Sequence, residues 1–275
     1  MKRRSFIKNS YLAILGLTVP KFAWSKLKII EEYKMQTTLH KANTRGVADH
    51  GWLNSHHTFS FANYHNPERM GFGVLRVIND DIVAGARGFG AHPHNNMEII
   101  SVPLKGSLRH KDNVGNEYVV KKGEIQAMSA GTGIVHSEHN NSTDSDVNFL
   151  QIWVLPKKMN IKPNYSQKEF SESSRLNKFQ LIVSPDGRQN SVEINQDAFF
   201  FLVKLEKGKK LHYTKHLKDN GVYFFTLEGD IKVDGQSLTK RDGLGVENKD
   251  NLDIKSDNDS EILIMEVPMN LNGQS

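Results

Sequence analysis

The stretch HPHNNMEII (92–100) places two histidines, His92 and His94, one residue apart. A second stretch, GIVHSEHN (133–140), repeats this spacing with His136 and Glu138. Residues two apart in a β-strand point to the same face, so each doublet presents both of its side chains to one side. Two such doublets on neighbouring strands of a barrel would converge inside it. The sequence therefore predicts one site built from these four residues.

The four side chains offer three imidazoles and one carboxylate, a ligand set that suits a divalent transition metal ion. Iron, manganese, cobalt, nickel, copper and zinc all satisfy this criterion. The chain has no cysteine, which excludes thiolate ligands and disulfides. Four protein ligands in an octahedral sphere leave two positions for water, O₂ or substrate. We therefore expect one divalent transition metal ion in an open site, unlike the closed sites of structural zinc.

The competing interpretation places these residues on a solvated strand face without an ion, but two doublets of matching spacing favour the metal site. Glu98 has the same strand parity as His92 and His94 and could be a further ligand. We expect it instead to orient an imidazole N–H, because Glu138 already supplies a carboxylate. Surface or hydrogen-bonded positions outside the site are expected for the other histidines considered: His56, His57, His65, His110, His139, His212 and His216.

Short apolar runs separated by Gly, Asn and Asp turns extend over most of the chain. Examples are GVLRVI (73–78), EIISVPL (98–104), EYVVK (117–121) and FFFLVKL (199–205). No long apolar stripe with a period of 3.6 residues is present, so helices should be few and short. This pattern predicts an all-β sandwich or barrel.

An internal repeat relates the two halves of the chain. LKGSLRHKDNVGNEYVVKKGEI (104–125) has a shorter counterpart in LEGDIKVDGQSLTKRDGLGV (227–246), which suggests two tandem β-barrel domains. The positions in the second copy that correspond to the doublets carry no such ligands. We expect an N-terminal metal-binding domain at 36–156, a polar connecting segment at 157–178 and a C-terminal metal-free domain at 179–271.

The N-terminus accounts for the basic character of the chain. Residues 1–25 hold five basic and no acidic side chains, which equals the net charge of +5, so the remaining residues sum to zero. MKRRSFIK (1–8) resembles a twin-arginine export motif, followed by a short apolar run and a small-residue site at Ser25. We expect a signal peptide at 1–25, an exported or periplasmic protein without stable membrane insertion after cleavage, and a cytoplasmic one if the signal is not functional. The neutral body gives no electrostatic reason to expect nucleic-acid binding.

Several motifs resemble those of pirin-like proteins of the cupin superfamily. They are GWLNSHHTFSFANYHNPERMGFGVLRVINDD (51–81), GFGAHPHNNMEIIS (88–101), KGSLRHKDNVGN (105–116) and MSAGTGIVHSEHN (128–140). Within that family the chain looks like the bacterial subgroup that includes quercetin 2,3-dioxygenases. The resemblance implies a bicupin, two double-stranded β-helix domains, with Fe(II) held in the first by His92, His94, His136 and Glu138 and no metal in the second.

The chain departs from the family pattern beside the ligands. Many pirins follow the H-x-H motif with Arg-Gly-Phe-Glu, where this sequence has Asn95, Asn96, Met97 and Glu98, and cupins generally have proline where Ser129 stands. These differences bear on the choice of substrate more than on metal binding.

Two functions remain open at this point. The first is a quercetin 2,3-dioxygenase-like oxidoreductase that opens a flavonol-type small aromatic substrate with O₂, with Glu138 as ligand and base. Phe59, Phe61, Phe72 and Phe89 are candidates to line its entrance, although core packing is expected for most of them. The alternative is a non-catalytic metal-binding bicupin that acts as a redox-responsive interaction protein. A monomer is expected in either case.

Overall fold

Strands make up nearly all of the regular structure in the computed structural model, which describes residues 35–270. The predicted signal peptide at 1–25 lies outside the described residues. Three short 3₁₀ helices occupy Ala42–Thr44, Glu172–Arg175 and Arg188–Asn190. Within residues 35–270, no helix is long and apolar enough to span a membrane.

The strands follow one another at short intervals, as the turn residues of the sequence predict. The strands up to the middle of the chain are β1 (Gln36–His40), β2 (Gly46–Asp49), β3 (Leu53–His57), β4 (Leu75–Val83), β5 (Gly88–His94), β6 (Glu98–Lys105), β7 (Ser107–Asp112), β8 (Glu117–Lys121), β9 (Glu124–Ser129), β10 (Ile134–Asn140), β11 (Val147–Val154) and β12 (Asn164–Glu169). Those that follow are β13 (Gln180–Ser184), β14 (Val192–Glu193), β15 (Phe199–Leu205), β16 (Lys210–Thr214), β17 (Asn220–Glu228), β18 (Ile231–Val233), β19 (Gln236–Leu238), β20 (Gly243–Glu247), β21 (Asn251–Ser256) and β22 (Ser260–Pro268).

Two barrels of the same construction are formed by these strands. The N-terminal barrel consists of a seven-stranded sheet, β12-β9-β6-β11-β4-β3-β2, and a four-stranded sheet, β5-β10-β7-β8. The C-terminal barrel likewise consists of a seven-stranded sheet, β1-β20-β17-β22-β15-β13-β14, and a four-stranded sheet, β16-β21-β18-β19. The predicted all-β fold with two tandem barrels is therefore confirmed.

Two edge strands pair differently from what the sequence indicates. Strand β1 comes first in the chain but pairs with β20 of the C-terminal barrel, and its last residue, His40, is hydrogen-bonded to the Tyr223 hydroxyl at 2.8 Å. Strand β12 lies in the predicted connecting segment but pairs with β9. Both strands are mostly polar, QTTLH and NYSQKE. Because an edge strand buries little side-chain surface, its sequence says little about its partner.

The interiors of the two barrels differ in polarity. Within the C-terminal barrel one apolar cluster contains Phe201, Phe224, Leu252 and Ile264, all buried. A separate cluster joins the two large sheets, with Leu75 on one side and residues such as Phe200 on the other. The N-terminal barrel has only two small apolar clusters between its sheets. Its remaining interior is available for polar side chains.

A buried ion-pair group connects the barrels. The Asp80 carboxylate of β4 accepts hydrogen bonds from Arg241 Nε at 2.8 Å, Asn148 Nδ2 at 2.8 Å and Arg45 Nη1 at 3.4 Å. Both arginine side chains are largely buried, at 12% and 6% exposure. Removing one partner of a buried ion pair leaves an uncompensated charge, which destabilises far more than breaking an exposed pair.

We predict that Asp80→Asn lowers the free energy of unfolding by about 3 kcal/mol, because two buried guanidinium groups lose their counter-charge. Chemical denaturation measures this change. The matched control is Glu117→Gln, which breaks the exposed Lys111–Glu117 pair and should cost at most about 1 kcal/mol. Equal effects of the two substitutions would contradict the role given to Asp80.

Candidate metal centre

Strand pairing brings the two histidine segments together. Strand β5 is the edge strand of the small sheet and pairs antiparallel with β10, with His92 opposite His136 and Pro93 opposite Val135. Pro93 is exposed, and an edge is where a strand tolerates proline, which has no N–H to donate. In β10 the alternate residues His136 and Glu138 are buried. The strand period of two therefore places the side chains of both doublets on the interior face, and the binding of one ion by all four stays a prediction.

Three imidazoles form a compact group. The ring centroids of His92 and His136 are 4.5 Å apart, and the ring of His94 lies 4.9 Å from each of them. One ring nitrogen from each residue lies within 4.8 Å of the others. This is the arrangement in which three nitrogen donors can share one ion.

The donor atoms of this group fit a transition metal ion. His136 Nε2 is buried and has no hydrogen-bond partner, an arrangement that is costly unless a ligand uses the atom. His92 donates its Nδ1–H to the Gly90 carbonyl at 2.8 Å, which leaves its Nε2 available. Burial, followed by the charge of His92, lowers the pKa of His94 to about 4, and burial with the neighbouring imidazoles lowers that of His136 to about 2. Both rings are therefore neutral, as metal ligands must be.

Glu138 lies beside this group rather than within it. The pairing of β10 with β5 has a bulge between His136 and Glu138, so that the residue opposite Glu138 in β5 is Phe89. Its carboxylate accepts hydrogen bonds from Gln151 Nε2 at 2.6 Å and from the Ser101 hydroxyl at 3.2 Å. A second group of possible ligands contains Glu138, His136 and His110. The role of Glu138 as fourth ligand stays a prediction, and its two hydrogen-bond donors would orient it for that role.

Burial determines the charge state of this carboxyl. Glu138 is fully enclosed, and burial raises its pKa to about 7, with a smaller contribution from the negative charge of Asp81. Asp81 has the same property, because burial raises its pKa to about 7 as well. The interior of the N-terminal barrel thus holds two carboxyl groups that a bound cation would favour in the ionised form.

His110 was expected to lie outside the site, but the structure places it next to His136. Its side chain is completely buried, its Nδ1 lies 3.4 Å from His136 Nδ1, and its Nε2 lies 3.1 Å from Asp112 Oδ2. Burial lowers the pKa of His110 despite the neighbouring Asp112. The signal was available in the sequence, since HKD (110–112) repeats the spacing of the two doublets a third time.

Glu98 does not orient an imidazole, so that expectation is wrong. Its Oε2 accepts hydrogen bonds from the Ser129 hydroxyl at 2.6 Å and from the Asn195 backbone N–H at 3.1 Å. Strand parity fails here because β5 ends at His94 and β6 begins at Glu98, with Asn96 in the left-handed region at φ 48° between them. Because the chain turns between the two strands, the alternation of faces in β5 does not continue into β6.

A cavity of about 150 Å³ opens beside the imidazoles and is bounded by His92, His94 and Glu138. A row of polar residues crosses the large sheet along it, in register from Gln151 through Asn79 to His57. In this row Asn79 Oδ1 and His57 Nδ1 are buried without a hydrogen-bond partner, as is the indole Nε1 of the neighbouring Trp153. His57, expected outside the site, is therefore part of the cavity wall.

Aromatic side chains form the apolar part of the cavity wall. The Trp153 indole meets His94 edge-on at 4.9 Å and Phe61 at 5.3 Å, and Phe89 completes the wall. Of the four phenylalanines considered from the sequence, Phe61 and Phe89 line the cavity, whereas Phe59 and Phe72 are buried in the core between the large sheets. The wall thus combines flat apolar faces with unpaired polar atoms, which is typical of small-molecule sites.

Two family models match the chain. The model described as Pirin matches residues 38–154, and the model described as Quercetinase C-terminal cupin domain matches residues 181–267. The first match contains all four predicted ligands, and the second covers most of the C-terminal barrel.

Named relatives resemble the chain over most of its length. A quercetin 2,3-dioxygenase of Escherichia coli strain K12 is 41% identical over 230 residues, which cover 84% of this chain and 98% of that protein. A pirin-like protein of Caulobacter vibrioides is 36% identical over 81% of this chain and 95% of that protein. The crystal structure of the E. coli bacterial pirin YhhW in complex with nickel(II) superimposes with a TM-score of 0.80 at 41% identity, covering 85% of this chain and 99% of that one.

We predict that His94→Ala weakens the binding of a divalent transition metal ion, with Ni(II) as the probe, by more than roughly 100-fold, since loss of a ligand should exceed the loss of an outer-shell partner. Isothermal titration calorimetry on metal-free protein measures the affinity. The control is His139→Ala, which removes an exposed imidazole from the opposite face of β10 and should leave binding unchanged. Wild-type affinity in His94→Ala would contradict the imidazole cluster as the binding site.

We predict a specific pH effect in metal-free protein. Because burial raises the folded-state pKa of Glu138 to about 7 from its ordinary 4.5, folded protein binds more protons and loses stability as the pH rises through this interval. Glu138→Gln should therefore gain roughly 2 kcal/mol relative to wild type between pH 5 and pH 8. Urea denaturation at several pH values measures the difference. The exposed Glu169→Gln is the matched control substitution, and a pH-independent difference for Glu138→Gln would refute the assignment.

Proposed function

Because the chain belongs to the pirin family of bicupins, we propose that it is a metal-dependent oxidoreductase of the quercetin 2,3-dioxygenase type. The proposed reaction is the O₂-dependent ring opening of a flavonol-type small aromatic substrate. The observation that carries the proposal is the buried, unpartnered Nε2 of His136, which belongs to a three-imidazole group beside a cavity with aromatic walls. A site of this kind leaves room for a ligand next to an ion.

The proposed ligands are His92, His94, His136 and Glu138, and the proposed native ion is Fe(II). The nickel(II) in the related E. coli pirin structure supports a site for a divalent transition ion but does not select iron. When bound, such an ion would act as a Lewis acid toward a substrate hydroxyl and supply one-electron chemistry for O₂. This second kind of chemistry excludes zinc, which is not redox-active, but iron shares it with manganese, cobalt and copper, so the choice of Fe(II) follows the resemblance to pirins.

The protein side chains would bind and orient the substrate. The faces of Phe61 and Trp153 suit a planar ring, because aromatic side chains bury large flat apolar areas. The unpaired acceptor on Asn79 and the indole N–H of Trp153 suit the hydroxyl and carbonyl groups of a flavonol. Leaving these buried atoms unpaired would cost affinity for an aromatic compound that lacks such groups.

Glu138 is the proposed base. Its carboxyl forms part of the cavity wall and is held by Gln151 and Ser101, so it stays oriented toward a ligand in the cavity. In the ionised form it would take the proton of the substrate hydroxyl, and the enclosed position would keep water away from this transfer. We thus propose both a ligand role and a proton-transfer role for this residue.

Other properties of the protein stay proposals. Residues 26–275 have a net charge of zero, which supports the proposal that the protein does not bind nucleic acid. We also propose that it is a monomer. Export by the twin-arginine route depends on residues 1–25, which lie outside the described residues. Export in the folded state would suit a chain that takes up its metal before leaving the cytoplasm.

We predict that iron-loaded protein consumes O₂ and removes the absorbance of quercetin, and that Glu138→Gln lowers kcat by roughly 100-fold or more because the base is lost. An oxygen electrode and absorbance spectroscopy measure the two quantities, and calorimetry with Ni(II) shows how much metal affinity remains. His139→Ala is the control that keeps full activity. Iron-loaded protein that leaves several flavonols intact would contradict the proposal and favour the non-catalytic, redox-responsive alternative.

A further inference from the structure

We propose that Asp112 and His110 are positioning residues of the metal centre, which fix His136 in the tautomer whose Nε2 presents a lone pair to the ion. The inference deepens the proposed function and rests on its metal site, though not on the identity of its substrate. It concerns protein groups that are in place before any ion binds.

The three residues form a continuous buried row across two strands. Strand β10 pairs with β7 so that His136 lies opposite Asp112 and Glu138 lies opposite His110. His136 Nδ1 is 3.4 Å from His110 Nδ1, and His110 Nε2 is 3.1 Å from Asp112 Oδ2. The side chains of His110 and Asp112 are fully enclosed, so water cannot substitute for these contacts.

Complete burial favours the neutral form of His110, and for a neutral His110 only one placement of protons satisfies every contact in this row. Between the two Nδ1 atoms, one must donate and the other accept. If His136 donates, neutral His110 accepts at Nδ1 and carries its own proton on Nε2, where it donates to the Asp112 carboxylate. If His110 donates instead, its Nε2 turns a lone pair toward that carboxylate, which is repulsive. The carboxylate therefore selects the tautomer of His110 and, through it, that of His136.

Asp112 is itself held in the ionised, accepting form. Its Oδ1 accepts the backbone N–H groups of Val114 at 3.0 Å and Asn116 at 2.9 Å, and its Oδ2 accepts Asn116 Nδ2 at 2.8 Å. With His110 this gives four donors to one carboxylate, which stabilises its charged form. The turn that follows β7 thus anchors the end of the row.

The selected tautomer has a direct consequence at the cavity. With its proton on Nδ1, His136 has an unprotonated Nε2, and this is the atom that is buried without a partner beside His92 and His94. In the opposite tautomer the same atom would carry an N–H that points into a group of imidazoles and blocks an ion. The row from Asp112 to His136 therefore prepares the site for metal binding.

A different position for the ion is the group of His110, His136 and Glu138, whose donor atoms also lie within 4.8 Å of one another. Because His136 Nδ1 is the nitrogen that lies 3.4 Å from His110, we expect an ion there to use this atom and to leave the buried Nε2 without a partner. Of that group only Glu138 borders the cavity, and all three residues are buried, whereas both His92 and His94 border the cavity and are less buried. An ion bound by His92, His94 and His136 would give the buried Nε2 of His136 a partner and could enter through the cavity. Both points favour the group of His92, His94 and His136.

The test begins with the tautomer in metal-free, ¹⁵N-labelled full-length protein. Two-bond ¹H–¹⁵N correlation spectra distinguish the two tautomers of each histidine, and His136→Gln assigns the signal. We expect His136 to carry its proton on Nδ1. A proton on Nε2 in the wild-type protein would overturn the inference without any variant, and Ni(II) binding by that same protein would show that the metal site survives without it.

Variants of His110 then test the effect on metal binding. His110→Phe should lose the fixed tautomer of His136 and weaken Ni(II) binding by roughly 10–100-fold. His110→Gln should restore most of both, because its amide can accept from His136 and donate to Asp112. The control His212→Phe removes a histidine of an exposed His–Asp pair in the C-terminal barrel and should change neither quantity.

Three further outcomes would overturn the inference in different ways. Wild-type affinity in His110→Phe would remove the positioning role. Complete loss of Ni(II) in His110→Phe, with binding kept in His92→Ala, would place the ion in the group of His110, His136 and Glu138. Failure of wild-type protein to bind Ni(II) at all would remove the metal centre, and with it the proposed function.

Discussion

The candidate site depends on the pairing of β10 with a different strand on each side. Across β5, His136 lies opposite His92, and across β7 it lies opposite Asp112. One imidazole can therefore turn its Nε2 toward His92 and His94, the other two proposed ligand histidines, and its Nδ1 toward His110. A shift of one residue in either pairing would turn His136 to the outer face of the sheet, because strand side chains alternate. The bulge beside Glu138 changes the register only after His136 has been placed.

The contrast between the barrels shows what a site of this kind requires. The interior of the C-terminal barrel is filled by aromatic and branched side chains such as Phe224 and Ile254. In the N-terminal barrel the corresponding space holds imidazoles, carboxyls and amides together with a cavity. Buried polar groups destabilise a fold unless they are paired. We infer that the apolar C-terminal barrel and the core shared by the large sheets offset the cost of the polar interior.

The fold and the grouping of the three imidazoles could be predicted from the sequence because both follow from local periodicity. The spacing of His92, His94 and His136 needs only the two-residue repeat of a strand, and the repeated turns need only the composition of short segments. The expected role of Glu98 was wrong because the alternation of strand faces does not continue through the turn at Asn96. The polar row of Asn79 and Gln151 could not be predicted, since it exists only in the register of separate strands. The pairing of β1 with β20 of the C-terminal barrel could not be predicted for the same reason.

The most direct test of the account is a crystal structure of nickel-loaded protein, with the ion located by its anomalous scattering. The central claim is that one ion binds where the imidazoles of His92, His94 and His136 meet, through Nε2 in the case of His136. We predict a single strong anomalous peak at that point. A peak at Nδ1 of His136 on the side of His110, or one held only by exposed histidines such as His65, would contradict it.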